Sequence, residues 1–187
     1  GLKLYETGYR FASDQRANIY LTNALEEPSQ LAQGSAASLF EALGHESQAV
    51  NDVKRDVHCT VVIGNPPYAK LSSNRTSYAE SLVESYKRMV AGERNVQPLS
   101  DDYIKFMAFS IQTTSRSPIA IISMITNRSY LNGLIHRGLR STLIDTFSKI
   151  TILDRPGDNN VGEDVPVGYE NENLFDIRQG VSIFNFV

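Results

Sequence analysis

The chain has 187 residues, 41% of them apolar, which is enough to bury a core and too much for a disordered or low-complexity polypeptide. Its 18 basic and 21 acidic side chains leave a formal charge of −3, so no global positive excess marks a polyanion partner, although a local basic groove is compatible with that balance. A single cysteine, Cys59, excludes an internal disulfide and a Cys-rich zinc site. No apolar run reaches the roughly 20 residues of a bilayer span and no signal-peptide pattern opens the chain, so a cytoplasmic protein without membrane association is expected.

In chain order, Ile19-Tyr20-Leu21 reads as a short strand running into a turn at Asn23. Residues 38–54 have helical spacing, with Leu39, Leu43 and Val50 on one side. Residues 57–63 form a β-branched run that halts at Gly64-Asn65-Pro66-Pro67. Being apolar on both faces, that run predicts an interior strand of a parallel sheet. The pattern then predicts a helix over 78–90 and another opening at Asp101-Asp102, where two acids suit the positive end of the helix dipole. A second buried strand is expected over 118–125, a helix over 131–147, and a strand over 150–153. Residues 155–173 read as a polar loop or hairpin, and 181–187 alternate like a final strand. Strands alternating with helices predict an α/β fold, a mostly parallel sheet with flanking helices, with no repeat and no linker dividing it. The chain opens without Met and closes inside an apolar element, which predicts a segment of a longer polypeptide.

In open parallel sheets, ligands sit at the carboxyl ends of strands, so the residues following 57–63 carry the chemistry. There stands Asn65-Pro66-Pro67-Tyr68. Two consecutive prolines remove two backbone donors and fix φ near about −65°, which makes the turn stiff. A side-chain amide, an outward carbonyl and an aromatic ring are then held together at a strand tip. The Asn65 amide oxygen and the Pro66 carbonyl can accept both hydrogens of an exocyclic amine while Tyr68 stacks on its ring. Such an amine is a poor nucleophile because its lone pair is delocalised; two acceptors favour a tetrahedral nitrogen, and its lone pair can then attack an electrophilic methyl group.

Gly64-Asn65-Pro66-Pro67-Tyr68 after an apolar strand resembles motif IV of S-adenosylmethionine-dependent amino-methyltransferases, above all the DNA adenine-N6 enzymes. Residues 20–26, 57–68, 101–106, 123–140 and 172–183 resemble, in order, the methylase region of type ISP and type IIG-like restriction-modification enzymes. The resemblance implies a Rossmann-like methyltransferase fold, S-adenosylmethionine as cofactor, and DNA as partner. It makes Asn65, Pro66, Pro67 and Tyr68 the catalytic loop. Phe175 becomes a second aromatic, sandwiching an extruded adenine against Tyr68. Asn23 takes the place of a cofactor-contacting polar residue that is normally acidic. Extrusion is required because N6 of a paired adenine lies inside the duplex.

The family's Gly-rich cofactor loop has no counterpart here, since Gly133-Leu134-Ile135-His136-Arg137-Gly138 fits neither glycine fingerprint. Residues 1–187 are therefore expected to be a partial catalytic domain, inactive alone. The remainder of a parent polypeptide would bring the missing loop and, as the resemblance implies, a translocase, a nuclease and a target-recognition region. The tetrapeptide by itself leaves other acceptors open, among them RNA and a protein glutamine, and a non-catalytic nucleic-acid-binding or assembly module is a further alternative.

Other polar residues read more plainly. His45, His58 and His136 share no ligand spacing, and no metal site is expected. Cys59 reads as a buried small hydrophobe, Tyr130 and Phe106 as core, and Asp101-Asp102 as a helix start. Lys70, Arg75, Arg128 and Arg155 follow predicted strands, where they could reach DNA phosphates.

Overall fold

The computed structural model describes residues 5–10, 12, 18–20, 22–27, 41–68, 72–155 and 180–187. The chain divides into two compact units, one comprising residues 1–24 and 28–56, the other residues 25–27 and 57–187. The sequence shows no linker at this division.

In the first unit, helix α1 spans Glu41–Asp56. It buries Val50 and Asn51 and carries Lys54 and Arg55 in its last turn, where cations suit exposed carbonyls. Lys54 Nζ donates to the Asn23 carbonyl at 2.8 Å. The expected strand at Ile19-Tyr20-Leu21 is not formed: Ile19 and Tyr20 are irregular, and Leu21 lies outside the described residues.

The second unit is built on a four-stranded sheet of order β1-β2-β4-β3. Its strands are β1 (Val61–Gly64), β2 (Ile121–Asn127), β3 (Ile150–Arg155) and β4 (Val181–Phe186). Among the described residues only β1 and β2 run parallel, with Val61 beside Ile121 and Gly64 beside Met124. β4 pairs antiparallel with both β2 and β3. The sheet is therefore mixed, not mostly parallel. Residues 57–60 are irregular, so β1 is shorter than the apolar run that contains it, and Cys59 is half-buried in a loop. Among the described residues β1 is an edge strand, with Ile63 80% exposed, which corrects the expectation of an interior strand.

Between β1 and β2 the chain crosses over through two helices. α2 (Ser77–Arg88) opens at Thr76, whose hydroxyl accepts from the Ala79 amide at 3.2 Å and satisfies one orphan donor. Ala79, Val83, Tyr86 and Val90 recur at helical spacing and are buried. α3 (Asp102–Thr114) follows a 3-10 turn at Gln97–Ser100 and buries Tyr103, Ile104, Met107 and Ala108. The expected helix over 131–147 is three pieces: α4 (Ser129–Asn132), a 3-10 turn at Leu134–His136, and α5 (Arg137–Thr146). Gly133 makes the break with extended backbone, and a Cβ there would lie 2.3 Å from His136 Nδ1 and 2.8 Å from the Ser129 carbonyl.

The core lies on the helix-covered face of the sheet. Phe184 and Phe186 stack with ring centroids 4.0 Å apart, Phe147 meets Phe186 at 5.2 Å, and Tyr130 meets Phe184 edge-on at 6.2 Å. Such pairs contribute about 0.5–1.5 kcal/mol each beyond their buried area. Tyr130 is core as expected, whereas Phe106 is only half-buried. The opposite face leaves Val61, Ile63, Ile121 and Leu153 exposed. The acidic stretch 155–173 lies outside the described residues, Arg155 excepted.

A polar network is packed between α2 and α3. Lys105 is fully buried, and its ammonium donates to Glu80 Oε1 at 2.7 Å, Ser72 Oγ at 3.0 Å and the Asn74 carbonyl at 2.5 Å. An ammonium has three protons, and each has an acceptor. Glu80 also accepts from Lys87 at 2.6 Å and Ser100 at 3.0 Å. Burial raises the Glu80 pKa, but the hydrogen bonds from Lys105, Lys87 and Ser100 outweigh it and hold the carboxyl at about 2.

A carboxylate depressed in the folded state contributes stability above its unfolded pKa and loses it as pH falls through the folded value. Melting temperature is thus expected to fall between about pH 4.5 and pH 2 partly through Glu80, and Glu80→Gln flattens that segment of the profile. Gly138 sits where α5 meets the end of α2, and a Cβ there would lie 3.0 Å from Met89 Cβ and 3.2 Å from the Tyr86 carbonyl. Gly138→Val is expected to cost about 2 kcal/mol by overpacking, read from the urea midpoint.

Candidate active site

Because β2 runs parallel to β1, their carboxyl ends open on one edge of the sheet. The ladders bring further segments to that edge: Arg155 at the end of β3 pairs with Val181 at the start of β4, which pairs in turn with Asn127. Asn65–Tyr68, residues 127–130, Asp154-Arg155 and Gly180 are thus gathered by topology alone.

The Asn65-Pro66-Pro67-Tyr68 turn leaves β1 directly. Asn65 and Pro67 are exposed, Pro66 is buried, and Tyr68 is half-buried. The buried first proline seats the turn while the amide beside it stays in solvent. Tyr68 Oη donates to Asn65 Oδ1, tying ring and amide into one unit. Burial raises the Tyr68 pKa against the opposing effect of that hydrogen bond, so the phenol remains a proton donor at neutral pH. An amide oxygen has two lone pairs, so the Tyr68 proton leaves one with which Asn65 can accept from a ligand amine.

Behind the turn, Asp102 Oδ1 accepts from Ser72 Oγ at 2.5 Å and from Asn74 Nδ2 at 3.1 Å. Asp101 and Asp102 begin α3 as the sequence suggests, but Asp102 is also a buried acceptor for the segment that follows the turn. No sequence signal separates this role from that of an ordinary first-turn acid. Lys105, three residues on, interrupts an otherwise apolar helical stretch, and that irregularity is the one available clue.

At the second strand end, Asn127 Oδ1 accepts from the Ser129 amide at 2.8 Å, and the Arg128 amide donates to the Gly180 carbonyl at 3.1 Å. Arg128 forms an ion pair with Asp154 at 2.8 Å and is 16% exposed, so its charge is already engaged within the sheet edge. Arg75 is exposed and donates from Nε to the Ser72 carbonyl at 3.3 Å; Arg155 is exposed, and Lys70 lies outside the described residues. Of the histidines, His58 is exposed and His136 is buried, with Nε2 3.3 Å from Tyr103 Oη. Burial, aided by the charge of Arg140, lowers the His136 pKa to about 4, so it is neutral at physiological pH. Among the described residues no cluster of His, Cys, Asp and Glu could hold a metal ion, and no helix is long and apolar enough to cross a membrane.

Asn23 belongs to the first unit and the tetrapeptide to the second. Asn23 is half-buried in irregular backbone ahead of a turn, with its carbonyl engaged by Lys54. Phe175 lies outside the described residues.

Known proteins resemble this chain over nearly its whole length. The ATP-dependent type ISP restriction-modification enzyme LlaBIII, solved bound to DNA, is 28% identical with a TM-score of 0.69 and covers 90% of this chain. A nuclease-deletion mutant of the type ISP enzyme LlaGI, in complex with a DNA substrate mimic, is 22% identical over 77% of the chain with a TM-score of 0.60. DrdV, in a DNA complex, is 21% identical over 91% with a TM-score of 0.67; these last two likenesses speak to the fold. The chain spans only 11%, 14% and 16% of those three polypeptides, respectively. No curated protein matches it. The profile of the Eco57I restriction-modification methylases matches residues 6–161, most of the chain and all of β1, the tetrapeptide and β2. The chain belongs to the Eco57I restriction-modification methylase family.

Proposed function

We propose that this chain is a segment of the catalytic domain of a DNA adenine-N6 methyltransferase in a bacterial restriction-modification system, with Rossmann-like topology completed by other parts of a parent polypeptide. The observation that carries the reading is the exposed Asn65 amide, tied to Tyr68 and set on a buried proline at the carboxyl end of β1. S-adenosylmethionine, when bound, supplies an electrophilic methyl group. The donor set in hand fits the acceptor side of such a reaction better than the cofactor side. Toward the cofactor this chain offers the Asn23 side chain and no glycine-rich loop, so its residues are assigned to holding the acceptor.

On this reading Asn65 Oδ1 and the Pro66 carbonyl accept the two hydrogens of the adenine amine. Tyr68 stacks on the extruded ring while its hydroxyl keeps the Asn65 amide in register. Phe175 is the second face of the sandwich. The turn contributes positioning and fixed dipoles, and neither Asn65 nor Tyr68 takes a proton before transfer. DNA is the partner through the sheet edge and through other regions of the parent enzyme. The LlaBIII and DrdV structures are DNA complexes, which supports this partner.

The decisive variant is Asn65→Ala in the intact gene product that carries this chain. Tritiated methyl transfer to DNA is expected to fall by about 100-fold or more, the scale of losing a preorganised dipole, while DNA affinity changes less than about twofold. Methylation at the wild-type rate overturns the mechanism. Label appearing in RNA or protein instead of DNA favours the other acceptors, and digestion to nucleosides separates adenine from cytosine. Tyr68 gives a graded second test. Tyr68→Phe keeps the ring and loses only the tie to Asn65, so a fall in kcat of about tenfold is expected. Tyr68→Ala removes the stacking surface, and its loss is expected to exceed that of the Phe variant by a further factor of about ten.

A further inference from the structure

The turn of Asn65–Tyr68 has described structure on both sides in sequence. Upstream it is continuous with β1. Downstream, only three residues separate Tyr68 from Ser72, so the distance from Tyr68 to Ser72 is limited to about 14 Å however the chain runs. Ser72 and Asn74 are bound to α3. The single Ser72 hydroxyl proton goes to Asp102 at 2.5 Å, while Ser72 Oγ accepts from Lys105 at 3.0 Å and from the Asn74 amide at 3.1 Å. The Asn74 side-chain amide donates to Asp102, and the Asn74 carbonyl accepts from Lys105. Both charges are buried, Lys105 fully and Asp102 to within 4% exposure.

Charges in such places need a reason beyond stability. An apolar pair of similar volume generally folds as well or better, because desolvating two ions consumes most of what their attraction returns. What the apolar pair lacks is direction. Here four directed hydrogen bonds join one α-helix to two residues of one loop; a fifth, from Lys105 to Glu80, fixes the ammonium itself. We propose that Lys105 and Asp102 are positioning residues that clamp Ser72 and Asn74 and so hold the turn of Asn65 and Tyr68 in the geometry needed for methyl transfer. The proposal rests on the reading of that turn as the acceptor site.

Lys105→Met is the obvious variant, but it removes three hydrogen bonds at a fully buried position and one of the two cations that hold Glu80, and is expected to lose the fold. The informative change lies on the loop side, where Ser72 is half-buried. In the intact gene product, Ser72→Ala is expected to lower kcat for DNA methylation by about 10- to 100-fold, the range that a misplacement of about 1 Å produces. The KM for S-adenosylmethionine and DNA affinity stay at wild-type values, while the melting temperature falls by a few degrees because the buried Lys105 and Asp102 each lose a hydrogen-bond partner. Hydrogen exchange at the Asn65 and Tyr68 amides becomes faster, and Ser72→Thr, which keeps the hydroxyl, restores both exchange and kcat. In an active enzyme, wild-type exchange or wild-type kcat in Ser72→Ala overturns the clamp. A wild-type enzyme that methylates no DNA overturns the proposed function instead, and exchange at the two amides then decides the clamp alone.

Discussion

The parallel pairing of β1 with β2 is the constraint on which the second unit depends. Two parallel neighbours cannot be joined by a tight turn, so the chain must leave the sheet, cross one face and return. α2 and α3 fill that crossover: α3 lays its buried face on β1 and β2, and α2 packs beside α3 with Ala79, Val83 and Tyr86 buried. The same pairing aligns the carboxyl ends of both strands. A diproline turn leaving β1 and an Asn-Arg-Ser turn leaving β2 therefore share one edge. Core and candidate site are two results of a single ladder.

What the sequence discloses is what short-range physics controls. Helical spacing places α2 within a residue or two, and Asp101-Asp102 marks the opening of α3 because acids favour that end of a helix. The tetrapeptide is legible as a stiff turn ending β1, because two prolines after a β-branched run cannot continue a ladder. Long-range pairing is not legible. The run 57–63 is apolar on both faces, yet only four residues find a partner strand, and one face of them meets solvent. The mixed character of the sheet is hidden for a similar reason: β4 alternates like any strand, and nothing local tells it to insert between β2 and β3 in the opposite sense. The break at Gly133 escapes because a lone glycine is tolerated within helical patterns; it is decided by the close approach of His136.

Lys105 shows the limit of pattern reading most clearly. A lysine in a helix is ordinarily assigned to the solvated side, and its burial here depends on three acceptors drawn from residues 72, 74 and 80. Those acceptors are 25 to 33 positions away in sequence, so no window of a few turns contains the whole arrangement. Composition is equally silent about Arg128, whose guanidinium is spent on Asp154 at the sheet edge. A basic residue after a strand suggests polyanion contact, and the fold gives this one an internal partner first.

The uncovered side of the sheet governs how the chain behaves in water. Val61, Ile63, Ile121 and Leu153 present methyl groups to solvent from three strands, and β1 adds an edge that no described strand occupies. Wetted surface of that kind is adhesive. Handled by itself at high concentration, this polypeptide would favour mild detergent and low ionic strength, and its colloidal stability would be set by those few aliphatic side chains more than by its modest negative charge.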